Sequence, residues 1–189
     1  MKGFKKIPSH AKLVFKGVLH DVYQWQQVMF DGSTSTFEAL KRKPSVTIIA
    51  STKQGMLLVV DEEQPYNGRN LCLPGGIAES DDLLSEAKRE LAEETGYLSN
   101  DWQYYAMTDV LNYSKLEWES CFYIARNCSL QTQKKLDPGE KNKVLLCSFQ
   151  EFIDISQSVD FSNSFLSNTI QSIMADSQRL EEFRKILLG

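Results

Sequence analysis

Residues 73–97 read Leu-Pro-Gly-Gly-Ile-Ala-Glu-Ser-Asp-Asp-Leu-Leu-Ser-Glu-Ala-Lys-Arg-Glu-Leu-Ala-Glu-Glu-Thr-Gly-Tyr. Asp81 or Asp82 can cap a helix here, and Gly96 suits the left-handed position that ends one, so the pattern predicts a helix running to about Thr95. At about 3.6 residues per turn, Leu83, Leu84, Ala87 and Leu91 fall on one arc and Glu86, Glu90, Glu93 and Glu94 on its neighbour. Between Glu79 and Glu94 seven acidic residues face two basic ones, a local net of −5 against −4 for the whole chain.

Glu90 with Glu93 and Glu90 with Glu94 are three- and four-apart pairs, and like charges so placed destabilise a helix by about 0.2–0.5 kcal/mol each. In a half-buried groove the repulsion grows unless a divalent cation sits between the oxygens. Magnesium takes oxygen ligands and keeps waters and substrate phosphate oxygens, so a small carboxylate cluster suits it. The Leu73-Pro74-Gly75-Gly76 loop lets backbone approach a metal or phosphate closely. Arg89 can hold a carboxylate through its planar fork. The segment reads as a metal platform rather than a solvated helix face.

Outward from it, Val46–Ala50 and Met56–Val60 are short apolar runs around the turn-prone Ser51–Gly55, as expected of central strands buried on both faces. Upstream, residues 12–16 and 22–30 alternate apolar with polar and lead into Asp31-Gly32, a hairpin-turn dipeptide, predicting a β-meander. Downstream, strands are expected at Trp102–Thr108, Glu119–Ala125 and Val144–Phe149. A closing amphipathic helix is expected from about Ser164, with Leu166, Ile170, Ile173, Leu180, Phe183 and Leu187 as its apolar stripe. The order implies an α/β or α+β sandwich.

The 189 residues suit one domain. The acidic balance argues against nucleic acid as a partner. No apolar run approaches the roughly 18–20 residues of a membrane helix, and the basic start leads into no apolar signal core, so a cytoplasmic protein with no membrane partner is expected. Cys72, Cys121, Cys128 and Cys147 form no Cys-x-x-Cys pair and read as buried free thiols. His10 and His20 are the only histidines, which makes zinc-hydrolase and Ser-His-Asp sites hard to assemble. The chemistry must lean on carboxylates.

Gly75–Tyr97 resembles the signature of the Nudix hydrolases, G-x5-E-x7-R-E-U-x-E-E-x-G-U with U apolar. The match aligns Asp81, Arg89, Glu90, Leu91, Glu93, Glu94, Gly96 and Tyr97. Asp81 stands for the usual glutamate and Tyr97 for the usual aliphatic residue, and counting from Gly76 leaves the motif one residue short.

The resemblance implies an α-β-α sandwich with a mixed sheet in one domain over residues 1–189. Within it fall an N-terminal antiparallel β extension (1–43), a catalytic core (44–160) holding the box at 75–97, and a C-terminal helix (161–189). The extension and strand order look like the ADP-ribose and nucleoside-diphosphate-sugar pyrophosphatase branch. That branch implies hydrolysis of a nucleoside diphosphate linked to another group, giving a nucleoside monophosphate and a phosphorylated group, and a homodimer. The resemblance makes Glu90 and Glu94 direct ligands of Mg2+ (or Mn2+), Glu93 a further ligand and the Gly75 carbonyl part of the shell. Arg89 would orient the carboxylates, and Glu140, in an acidic loop before the last strand, would be the general base. Tyr66, Tyr113 and Trp118 could stack on a base and Arg69 could hold a phosphate. Two other readings stay open: a nucleoside triphosphate or dinucleoside polyphosphate pyrophosphohydrolase, and a non-catalytic regulator that senses a nucleotide sugar.

Overall fold

The computed structural model describes residues 7–65, 68–109, 115–136 and 141–189. The first element is an outlying sheet. Strands β1 (Lys12–Lys16), β2 (Asp21–Val28) and β3 (Thr34–Lys41) form the expected antiparallel meander. Asp31-Gly32 lies in the turn, with Gly32 at φ 83°. Trp25 and Phe37 sit opposite one another with ring centroids 5.9 Å apart. The short β10 (Leu116–Glu117) then adds to β3 in parallel, tying the extension to a distant part of the chain.

The main sheet is built on β4 (Ser45–Thr52) and β5 (Leu57–Gln64), the expected central pair. β11 (Glu119–Leu130) runs parallel to β4, while β12 (Lys141–Cys147) and β6 (Gly68–Cys72) flank β5 antiparallel. β7 (Gly75–Ile77) pairs with β4, and β8 (Tyr97–Leu98) and β9 (Asp101–Asp109) pair with β11.

Strand side chains alternate in direction, so both faces of this apolar sheet carry a core. Val46, Ile48, Ala50, Leu58 and Ala125 pack against Ala87 and Leu91 of helix α1 (Leu83–Thr95). On the opposite face Ile49, Leu57, Val59 and Ile124 pack against α2 (Phe149–Ser156), α3 (Ser164–Ile173) and α4 (Ser177–Leu188). The result is the expected α-β-α sandwich.

Two boundaries differ from expectation. The strand read as Val144–Phe149 ends at Cys147, because Ser148 and Glu151 form a reciprocal capping box that starts α2 at Phe149. The single closing helix is two. Asp176 breaks it by accepting the Gln178 and Arg179 amide N–H groups at 3.0 and 3.1 Å, which caps α4. Leu166, Ile170, Ile173, Phe183 and Leu187 are all buried as expected, and Leu180 is partly so. Leu166→Ala empties a fully enclosed site, so the unfolding free energy should fall by about 2–5 kcal/mol, read as a lowered denaturant midpoint at constant slope.

All four cysteines are free; Cys121, Cys128 and Cys147 are buried and Cys72 is half-buried. Burial pushes the Cys128 and Cys147 thiols up to about 11, which keeps both in the unreactive protonated form. Among the described residues, no helix is long and apolar enough to cross a membrane.

Candidate active site

The site begins where β7 meets β4. Gly75 and Gly76 pair with Thr47 and Val46, and each glycine is required by a close approach. A Cβ on Gly75, whose φ is 155°, would run into the Val46 carbonyl. A Cβ on Gly76 would lie 2.7 Å from Cδ of Glu90, in the space the carboxylate occupies. Gly76→Ala should therefore fold normally but displace Glu90, with turnover down by about tenfold or more and little change in melting temperature.

The chain then turns into α1. Asp82 is its N-cap: the Ser85 amide donates to Oδ1 at 3.2 Å and the Ser85 hydroxyl to Oδ2 at 2.7 Å. The hydroxyl, then the amide, hold its carboxyl below the usual range. The cap thus falls on Asp82, whereas the carbonyl of Asp81 accepts the Leu83 amide at 3.1 Å. Gly96 ends the helix at φ 75°, as expected.

Arg89 is the hub of the site. Its Nη2 donates to Glu90 Oε1 at 2.6 Å and to Glu86 Oε2 at 3.0 Å, while Nη1 donates to Glu93 Oε2 at 2.6 Å. One planar fork thus holds carboxylates from three turns of α1, which a point-charge ammonium could not do. Burial alone would lower the Arg89 pKa, but the three carboxylates outweigh it and hold the guanidinium above its ordinary value. Glu86 is itself fixed by the Glu79 amide at 3.1 Å and the Ser80 hydroxyl at 2.8 Å. Those two bonds, followed by Arg89, hold its carboxyl below the usual range. Glu94 anchors the other flank, its Oε2 accepting the Gly75 amide at 3.0 Å.

Gly75, Gly76, Arg89, Glu90, Glu93 and Glu94 line a cleft of about 680 Å3, together with Arg42, Glu62, Cys72 and Lys135, while Glu86 supports Arg89 from outside that lining. Of the residues expected to act, Gly75, Arg89, Glu90, Glu93 and Glu94 are brought together in it. Gly75 is seen to act through its amide, on Glu94. Trp118 lines a neighbouring cavity instead, and reaches the cleft through Arg42, whose guanidinium carbon lies 4.1 Å from the indole centroid. Arg69 is not among the residues lining the cleft: its guanidinium binds Asp61 through two bonds of 2.6 and 2.5 Å on the exposed side of β6. Tyr66, Tyr113 and Glu140 lie outside the described residues.

Glu86, Arg42 and Lys135 are not among the residues to which the sequence assigns a role. Glu86 stood in the acidic arc, three residues before Arg89, a spacing that forecasts their contact. Arg42, between Lys41 and Lys43, carries no such signal.

The donor set fits a hard divalent cation, since the side chains that could ligate are mostly carboxylates, Glu90, Glu93 and Glu94 foremost, with Gln64 and Cys72 as the other lining donors. Among the described residues no three acidic, histidine or cysteine side chains converge as a ready cation cage. Glu90 and Glu93 are turned toward Arg89, and Glu94 toward the Gly75 amide.

Among curated protein sequences, none matches the chain significantly. The chain is similar to a solved structure described as the crystal structure of an ADP compounds hydrolase, with a TM-score of 0.71 and 16% identity over 89% of this chain and 94% of that one. At that identity the likeness shows the fold. A model of the NUDIX domain matches residues 41–167, which include β4, β5, β11 and the whole of α1. With that match spanning more than half of its length, and with the arginine-carboxylate hub in the matched part, the chain belongs to the NUDIX domain family and is a pyrophosphohydrolase of that family.

Proposed function

We propose that the protein hydrolyses the pyrophosphate bond of a nucleoside diphosphate linked to another group, ADP-ribose or a nucleotide sugar, with a divalent cation, Mg2+ or Mn2+. The observation that carries this reading is the Arg89 hub: three carboxylates fixed by one guanidinium beside a glycine corner, in a cleft large enough for a nucleotide. The named activity of the structural neighbour, hydrolysis of ADP compounds, supports the substrate class.

Glu90, Glu93 and Glu94 would hold the cation, with the Gly75 carbonyl. When bound, it would neutralise pyrophosphate charge and acidify a water. The chain's own residues do the rest. Arg89 keeps Glu90 and Glu93 in fixed rotamers, so their geometry is set before substrate arrives. Gly75 and Gly76 keep the floor of the cleft free of side chains, which lets a diphosphate lie against backbone. Arg42 and Lys135 bring positive charge to the cleft for phosphate oxygens. Glu140 is the proposed base, taking a proton from the attacking water if it comes within about 2.6–3.2 Å, directly or through one water.

We also propose a homodimer formed through the N-terminal sheet. It exposes Phe15 at 62% and Val28 at 64%, and the turn after β2 leaves Phe30 fully exposed, which supports a covering partner. Size-exclusion chromatography coupled to light scattering should give twice the chain mass, and a monomer would reject it.

The deciding experiment is product analysis on ADP-ribose, nucleotide sugars, dinucleoside polyphosphates and nucleoside triphosphates, with magnesium and with chelator. Chelator-sensitive release of nucleoside monophosphate from one diphosphate class is expected. Pyrophosphate release from triphosphates alone would overturn the substrate class. Binding of a nucleotide sugar without cleavage of any compound would overturn catalysis in favour of a regulator.

A further inference from the structure

Six arginines stand in the chain, and five of them commit their guanidinium to an oxygen of the protein. Arg69, Arg89, Arg126 and Arg184 pair with carboxylates, and Arg179 donates to the Ser172 carbonyl. Arg42 is the exception. Among the described residues its guanidinium makes no hydrogen bond and no ion pair, and its Nε is buried without a partner. Burial pulls its pKa below the ordinary arginine value, with no counter-charge to offset the lost hydration. A cation left in that state on the wall of a cleft is placed for an anion that comes from outside.

What holds it there is Trp118. The guanidinium carbon lies 4.1 Å from the indole centroid, inside the roughly 6 Å reach of a cation–π contact, for which tryptophan is the best ring. The Trp118 N–H is itself buried and unpartnered, so what this side chain offers is its face rather than its donor. The backbone brings the two together. β10 lies parallel to β3 with Leu116 opposite Leu40 and Glu117 opposite Lys41. The Leu40 and Arg42 amides donate to the Lys115 and Glu117 carbonyls at 2.8 and 3.0 Å. One step further along that register puts Trp118 beside Arg42. Glu117, the carboxylate next to Trp118 in the chain, pairs with Lys41 at 2.9 Å and leaves Arg42 unneutralised.

We propose that Trp118 is a positioning residue for the pyrophosphatase reaction: its indole face holds the Arg42 guanidinium in the cleft, without a counter-ion from the protein, so that the guanidinium meets a substrate phosphate in one fixed orientation. The face that carries the guanidinium is closed to a nucleobase, and the ring acts through the arginine. β3 and β10 then work as a latch, which makes the N-terminal sheet the supplier of a cleft cation. The inference rests on the pyrophosphatase reading of the cleft, but it is tested by binding.

The full-length protein is titrated calorimetrically with inorganic pyrophosphate in the presence of magnesium, as wild type, Trp118→Leu, Trp118→Phe, Arg42→Gln and the double variant Trp118→Leu with Arg42→Gln. Trp118→Leu keeps apolar bulk and removes the ring face, and should weaken binding about five- to thirtyfold. Trp118→Phe keeps a weaker face and should recover most of that loss. Arg42→Gln should weaken binding at least as much as Trp118→Leu. In that background Trp118→Leu should cost nothing further, because a residue that acts only through Arg42 has nothing left to act on.

A purely structural role would give equal losses in both backgrounds, and that result would overturn the proposal. So would unchanged affinity in Trp118→Leu, equal losses for leucine and phenylalanine, or no pyrophosphate binding by the wild type. If Trp118→Leu does not fold, the cycle is run with Trp118→Phe, whose loss of about two- to threefold must likewise vanish alongside Arg42→Gln. Binding that obeys the cycle while no pyrophosphate compound is cleaved would sink the hydrolytic reading and leave this one standing. Cleavage accompanied by affinities indifferent to Trp118 would do the reverse.

Discussion

Glu94→Gln is expected to lower kcat by about 10²-fold or more while leaving the fold intact. The substitution keeps the shape of the side chain and an oxygen that can still accept the Gly75 amide. What it removes is a charge, and with it one anionic ligand of the proposed cation and the transition-state stabilisation that charge supports. Melting temperature and apparent substrate affinity should change little, so the loss should appear in kcat and kcat/KM together. The measurement is steady-state turnover at several magnesium concentrations. Partial recovery at high metal would agree with a weakened ligand set, and wild-type turnover at every concentration would remove Glu94 from the site.

Arg89→Met is expected to damage both activity and stability. Methionine fills similar apolar volume and takes away the fork that holds Glu86, Glu90 and Glu93. Three carboxylates then face one another in a half-buried groove, and their mutual repulsion raises their proton affinity. Breaking a buried ion pair costs roughly 3–5 kcal/mol and losing an exposed one roughly 0–1. With the Arg89 side chain 33% accessible, the expected loss lies between, at about 2 kcal/mol.

The variant also carries a pH signature. In the wild type the Glu86 carboxyl is held below its ordinary value of 4.5. Its contribution to stability is therefore fully present above that value and is lost as pH falls through the lowered one. The Glu79 amide and Ser80 hydroxyl remain in Arg89→Met, so the acid-side dependence should shrink rather than vanish. Denaturant midpoints at intervals between neutral pH and the acid transition test this. A variant that tracks the wild type across the range would show that Arg89 contributes nothing to the carboxylate cluster.

The parts of this site that could be read in the sequence are those specified by local chemistry. The first helix was bounded correctly because an aspartate cap and a left-handed glycine end are short-range signals. The carboxylates of Glu90, Glu93 and Glu94 could be placed on one face because helical spacing alone determines it. The division of the closing segment into two helices escaped the pattern for a physical reason. Ile173 and Leu180 lie seven residues apart, which keeps the apolar stripe in phase across the break. Only the Asp176 cap marks it. The second helix did have a signal, the Ser148 to Glu151 capping box, hidden by the apolar run that precedes it.

Arg42 and Trp118 illustrate the opposite case. They are 76 positions apart in sequence, and their contact depends on the short parallel pairing of β10 with β3. No local pattern announces a two-residue parallel strand, so the only cleft cation stacked on an indole among the described residues was invisible until the sheets were assembled. The same holds for Arg69, whose partner Asp61 is set by the register of β6 on β5.

One detail of the far end of α1 bears on how the catalytic helix breathes. The Lys135 amide donates to the Glu93 carbonyl at 2.8 Å, and the Asn142 side chain donates to the Glu94 carbonyl at 3.1 Å. Lys135 and Asn142 are thus moored to the same final helical turn, the one bearing the proposed ligands. Amide hydrogen exchange at Lys135 should accordingly slow to the rate of α1 itself, and fraying of that turn would free Lys135 and Asn142 in a single opening event.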